Sequence, residues 1–274
     1  MSRPAPALTL VACLACVACA ARARPAPSVR SPSPFLEEMT WQEAERALGP
    51  DTVVVVPVGA ASKEHGPHLR LANDWIMADF LRRRVAERTH VVVAPIVGFS
   101  YYPAFVEYPG SIHLRLETAR DLLVDIVRSL ARYGPRRFYA LNTGVSTLRA
   151  LAPAAEALAA DGILFRYTDL GRALGPIEKE VAKQPGGTHA DEIETSMMLY
   201  IAPDTVDMGR ARKDYTSGGS GPLTRDPHRP GIYSPTGSWG DPTLATRAKG
   251  ERVTAALVDA ILADIEALRA APLP

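Results

Sequence analysis

The sequence predicts an α/β fold: a three-layer α/β/α sandwich around a mostly parallel central sheet. Three observations carry this. Residues 52–58 are a nearly continuous β-branched run closed by Gly59, the pattern of a strand buried on both faces. Strand-like runs then alternate with helix-length amphipathic segments, which points to βαβ units. The chain has 274 residues, 47% of them hydrophobic, so one domain can bury a substantial core without covalent staples.

The elements follow in order. After the first strand, residues 74–88 read as a helix with Ile76, Phe80, Leu81 and Val85 on one side. Residues 91–97 read as a second buried strand. Residues 117–133 form an amphipathic helix through Leu122, Leu123, Ile126, Val127 and Leu130, ended by Gly134-Pro135. Residues 138–141 are a third strand, 146–160 a helix and 163–167 a fourth strand. Residues 209–242 are rich in Gly, Pro, Asp and Ser, with little apolar periodicity. A long excursion of this kind is often functional. Residues 244–269 close the chain as a helix whose buried stripe is Val253, Leu257, Ile261, Ile265 and Leu268. No internal repeat is visible.

The N-terminus is of another kind. Residues 1–21 read as a secretory leader, with Arg3 ahead of an apolar stretch and Ala18-Cys19-Ala20 near its end. Leu10-Val11-Ala12-Cys13 resembles a lipoprotein cleavage box. Residues 22–35, rich in Pro, Ser and Arg, read as a flexible spacer, and 36–274 as the folded domain. The expected location is therefore exported, periplasmic or lipid-anchored, with a membrane reached only through that lipid. All three cysteines, Cys13, Cys16 and Cys19, lie in the leader. The domain is left without a thiol, which excludes disulfides, cysteine-ligated zinc and a cysteine nucleophile there. A formal charge of +1 gives no argument for nucleic acid.

In a parallel sheet, ligands sit beyond the carboxyl ends of the strands. Two clusters of chemistry fall near such ends. The first is Lys63-Glu64-His65-Gly66-Pro67-His68, followed by Asn73-Asp74. Imidazole and carboxylate suit Zn, Mn or Fe, and Gly66-Pro67 makes a tight turn that gathers the side chains. Asp74 is equally a candidate helix cap. The second is His189-Ala190-Asp191-Glu192-Ile193-Glu194 at a helix start, where His189 and Glu194 lie about one turn apart, a spacing for a proton-transfer or ligand pair. Asp191 and Glu192 also suit an acidic first turn. Asn142-Thr143-Gly144-Val145-Ser146 is not a nucleophile elbow, which argues against a serine triad.

These residues carry a resemblance. Pro57-Val58-Gly59, His65-Gly66-Pro67-His68-Leu69 and Asp74 look like the opening signature of the creatininase (creatinine amidohydrolase) family. Tyr108-Pro109-Gly110-Ser111, Asn142 at a strand end, His189 through Ser196, and Gly237-Ser238-Trp239-Gly240-Asp241-Pro242 with Ala245-Thr246 and Gly250 follow in the family's order. The resemblance spans about residues 50–268. It implies an often oligomeric α/β/α domain and metal-dependent hydrolysis of cyclic or linear amide C–N bonds, with two divalent metals sharing a bridging Asp. Asp74 falls on that Asp and His65 on a ligand histidine. His189 and Glu194 fall on residues for substrate binding and proton transfer.

Three expected ligands are missing. Lys63 stands where the family has a glutamate, and Gly144 and Ser146 stand where it has a histidine and a glutamate. Glu64 is adjacent to the first of these and could swing in. An ammonium at Lys63 opposes a metal by repulsion and supplies positive charge of its own.

The resulting expectation is an amidohydrolase acting on a small-molecule amide in a homo-oligomer. Its metal ligands are His65, Asp74 and Glu64, its catalytic residues His189, Glu194 and Lys63, and its substrate-binding residues His68, Ser146 and Trp239. It holds one divalent ion (Zn, Mn or Fe) or none. Two rivals stand beside it: a non-catalytic binder of small molecules or peptides on the same fold, and a metal-free hydrolase using Lys63.

Overall fold

The computed structural model describes Met1, residues 33–215, residue 217 and residues 220–274. Residues 2–32, nearly all of the leader and the spacer, lie outside the described residues. The unit Pro32–Pro274 contains helix α1 (Trp41–Ala47), strand β1 (Val53–Val58), α2 (Asn73–Arg88), β2 (Val92–Val93), α3 (Leu116–Ala131), β3 (Arg137–Asn142), α4 (Leu148–Ala159), β4 (Leu164–Tyr167), α5 (Leu170–Val181), α6 (Glu192–Ile201), the short strands β5 (Leu223–Thr224) and β6 (Ile232–Tyr233), and α7 (Arg247–Ala270). No helix among the described residues is long and apolar enough to cross a membrane.

The main sheet runs β2-β1-β3-β4 and is parallel throughout. Its alternate residues feed two cores, because successive side chains of a strand point to opposite faces. Val53, Val55, Tyr139 and Leu141 pack with Met77 and Leu81 of α2, Leu174 of α5, Ile193 and Met197 of α6, and Leu257 and Ile261 of α7. Val54, Val56, Val58, Phe138 and Ala140 pack with Leu123 and Val127 of α3 and with Leu151 and Leu158 of α4. Helices on both faces make the three-layer α/β/α sandwich the sequence predicts.

Three local differences have physical reasons. The strand expected over 91–97 shortens to β2 because Pro95 has no N–H for the ladder. Ala94 and Val97 still donate to the Val55 and Pro57 carbonyls, at 2.8 Å each. Helix α5 was absent from the sequence reading; Gly171, Gly175 and Pro176 interrupt its apolar period. Helix α1 is short and buries none of its residues, but Thr40 and Glu43 close a reciprocal capping box at its start.

Strands β1 and β3 run level, with Val58 opposite Asn142. The loop after β1 (residues 59–72) and the loop after β3 (residues 143–147) therefore leave the sheet side by side. Gly59 makes this possible. A Cβ there would lie 2.4 Å from the Asp74 carbonyl oxygen, so only glycine lets the end of β1 run against the first turn of α2.

Candidate active site

The first cluster is shaped by its turn. Gly66 has φ +67°, a region glycine adopts without penalty. The turn is pinned by Lys63 N–H donating to Leu71 O (2.9 Å) and Glu64 N–H donating to Ser111 Oγ (3.0 Å). Asp74 is not a cap: the N-cap of α2 is Ala72, and Asp74 turns both oxygens into the cluster. His65 Nε2 lies 2.8 Å from Asp74 Oδ1, and Lys63 Nζ lies 2.7 Å from Asp74 Oδ2.

The second cluster comes from the start of α6. Asp191 is the N-cap and accepts from the Ile193 and Glu194 N–H groups. Glu192 ties this turn to α7 through Lys249. Ala190 has φ +46° and is the one non-glycine residue with positive φ among the described residues. Such a conformation costs of order 1–3 kcal/mol and persists where its surroundings enforce it. Here Ala190 N–H donates to Glu194 Oε2 (2.8 Å) and Asn73 Nδ2 donates to Glu194 Oε1 (2.9 Å), so Glu194 is held from both sides.

The clusters meet. His65 Nε2 is 3.4 Å from Glu194 Oε1, and His189 Nδ1 is 3.9 Å from Glu194 Oε2. The outer nitrogens have acceptors of their own. His65 Nδ1 faces Lys63 O at 2.8 Å, and His189 Nε2 faces Glu64 Oε2 at 3.0 Å. Glu64 is buried, and its other oxygen accepts from Gly66 N–H. It fits because residue 237 is glycine; a Cβ there would lie 2.1 Å from Glu64 Oε1.

Charge follows from this geometry. Burial works against a proton on His65, but Asp74 and Glu194 outweigh both burial and Lys63, and lift it to about 9. Burial raises Glu194 and Asp74, yet the neighbouring cations win and hold both carboxyls below their usual range. His68 goes the other way: burial lowers it to about 4. It rests on Thr195 Oγ1 at 2.8 Å, outside the side chains that line the cavity.

That cavity, about 310 Å³, is lined among others by Lys63, Tyr102, Ser146, His189, Glu194 and Trp239. Trp239 is zipped to His189 by an antiparallel bridge, so the end of the 209–242 excursion forms one wall. The structure thus brings together Lys63, Glu64, His65, Asp74, His189 and Glu194, places Ser146 and Trp239 on the cavity wall, and leaves His68, expected to bind substrate, buried and off that wall.

Sequence reasoning missed Tyr102 and Phe105, and quoted Asn73 without giving it a role. The Phe105 ring lies 4.8 Å from Lys63 Nζ and 4.3 Å from the His189 ring. The Tyr102 hydroxyl is buried without a partner among the described residues, and burial, with Asp74 nearby, raises its pKa. An aromatic run in a loop beyond a strand's carboxyl end, Tyr101-Tyr102 with Phe105, was the available signal.

The donor set fits one divalent cation. One ligand atom from each of His65, His189 and Glu194 lies within 4.8 Å of the others. Donors ~2.1 Å from a tetrahedral ion stand roughly 3.4 Å apart, so the three need only close by small side-chain shifts. Both histidines already give their outer nitrogens to oxygen acceptors, the arrangement that fixes tautomer and aim in metal-binding imidazoles.

Fold and site together define an α/β/α protein with a histidine–carboxylate centre at the carboxyl edge of a parallel sheet. The creatininase family profile, described as creatinine amidohydrolase, matches residues 37–265, and the chain belongs to that family. It is 29% identical over 250 residues to the creatinine amidohydrolase of Pseudomonas putida, covering 84% of this chain and 95% of that protein. It is 32% identical over 218 residues to a mycofactocin precursor peptide peptidase of Mycolicibacterium smegmatis, covering 76% and 81%. A solved structure described as creatininase Mn superposes with TM-score 0.72 at 27% identity, covering 86% of this chain and 98% of that one.

Proposed function

We propose that this protein hydrolyses the C–N bond of a small cyclic or linear amide with the help of one divalent cation held by His65, His189 and Glu194. The observation that carries this is the convergence of the inward nitrogens of both histidines on Glu194, beside the Lys63–Asp74 pair and open to a cavity of about 310 Å³. A bound Zn or Mn ion supplies Lewis acidity, acidifying a water and polarising a carbonyl. The protein does the rest. Glu64 holds His189 in one tautomer. With the His65 proton displaced, Asp74 Oδ1 would be free to take the proton of the attacking water and return it to the leaving nitrogen as the C–N bond breaks. The Lys63 ammonium faces the cavity and stabilises negative charge on the carbonyl oxygen as the tetrahedral state forms. Relative to the sequence expectation, His189 and Glu194 shift in this reading from moving protons to holding the ion, and Glu64 from ligand to support.

The reading also places the protein outside the cytoplasm, on the strength of the leader, and in a homo-oligomer. Exposed Leu71 and Ile112, joined to the Lys63 segment by backbone bonds, support an assembly near the site.

The test is turnover of a panel containing creatinine, other lactams and short peptides, with metal content measured on the same sample. About one equivalent of metal and a chelator-sensitive activity restored by Zn or Mn are expected. One observation favours the non-catalytic alternative: Lys63 and the donor-free Gly144 replace ligands expected from the family. That alternative predicts binding of amides without turnover. Turnover indifferent to chelators would instead point to metal-free chemistry by Lys63.

A further inference from the structure

The way Asp74 is shared indicates how many ions the site accepts. Its two oxygens are both engaged, Oδ1 by His65 and Oδ2 by the Lys63 ammonium at 2.7 Å. Lys63 is 5% exposed, and its ammonium stands over the Phe105 and Tyr102 rings, 4.8 and 5.7 Å from their centroids. Aromatic faces stabilise a desolvated cation. The ammonium therefore has a built seat of one carboxylate oxygen and two rings, separate from the three donors of His65, His189 and Glu194.

Charge counting leads to the same place. The cluster contains three carboxylates, Glu64, Asp74 and Glu194, and one ammonium. With both histidines neutral it carries two net negative charges, which one divalent ion cancels. A second divalent ion would leave two positive charges uncompensated in a buried site, and buried charge without a partner is costly.

We infer that the centre is a hybrid, built for one divalent cation with the Lys63 ammonium as a permanent second positive charge, in contrast to a solved creatininase described as of the Zn–Zn type. This rests on the metal-dependent reading above. It makes Lys63 a competitor of the bound cation as well as its complement: the ammonium neutralises Asp74 and repels an incoming ion.

The test is a zinc titration of the metal-free protein against a competing chelator, with bound metal counted by mass spectrometry, for wild type, Lys63→Met and Lys63→Gln. Wild type should saturate at one equivalent even with zinc in large excess. Both neutral variants should stay at one equivalent and bind zinc at least about tenfold more tightly, because repulsion is removed and Asp74 is freed. Circular dichroism checks that each variant is folded; two side chains of different polarity guard against a packing defect in one. Two equivalents in wild type, or weaker zinc binding in both folded variants, would overturn the inference and leave the metal-dependent reading standing. No bound metal at all would overturn both.

Discussion

Replacing Glu64 by glutamine removes the charge behind His189 while keeping the shape of the side chain. The carboxylate serves two donors, His189 Nε2 at 3.0 Å and Gly66 N–H, one on each oxygen. Glutamine has a single acceptor oxygen. If it keeps Gly66 satisfied, its NH₂ faces the His189 N–H; if it turns over, Gly66 is left unpaired. Losing a charge-assisted bond of this type costs roughly 1.5–3 kcal/mol. Outer partners of metal-binding histidines typically change metal affinity by about 10–100-fold, and tenfold corresponds to about 1.4 kcal/mol. The two scales agree, so Glu64→Gln should weaken zinc binding by at least about tenfold. The assay is chelator competition on folded protein, with thermal unfolding of the metal-free form recorded alongside. A variant that loses stability yet binds zinc within about twofold of wild type would refute the argument, because His189 would then have no cation to aim at.

Three further outcomes are expected. In the metal-free protein, His65 is raised from 6.5 to about 9, so it binds its proton more tightly folded than unfolded. The stability this provides is complete below pH 6.5 and is lost as pH rises through about 9; denaturant melts should show a less stable protein at pH 9 than at pH 6, and the reverse order would contradict the assignment. Gly59→Ala places a Cβ 2.4 Å from the Asp74 carbonyl oxygen and should cost about 1–3 kcal/mol by overpacking, visible as a lower midpoint in urea together with weaker metal binding. Tyr102→Phe deletes a buried hydroxyl that has no partner among the described residues; since such a group costs about 1–3 kcal/mol to bury, the variant should melt no lower than wild type, and a clear loss of stability would show that the hydroxyl has a structural partner.

The layers of the fold were legible because their signals are long and periodic. The run at 52–58 and the amphipathic stretches of α3 and α7 state their burial directly. Helix α5 was hidden, because two glycines and a proline break its period even though Leu174 and Val181 still reach the core. In the site, the sequence supplied the members but not their partners. His65, Asp74, His189 and Glu194 stood out as clusters of metal-binding types near strand ends. Glu64 stood beside them, and nothing local shows that its carboxylate reaches His189, 125 residues away. The mate of Lys63 on Asp74 Oδ2 is likewise a matter of how one turn meets one helix start. Tyr102 and Phe105 were harder still, since an aromatic residue in a loop carries no periodicity that distinguishes a cavity wall from ordinary packing.

Diffraction from crystals soaked in zinc, collected on both sides of the zinc absorption edge, addresses the central claim most directly. The account predicts a single strong anomalous peak per chain, within bonding distance of His65 Nε2, His189 Nδ1 and a Glu194 oxygen, with Lys63 still paired to Asp74. Two peaks astride Asp74, or no peak among these residues, would contradict it.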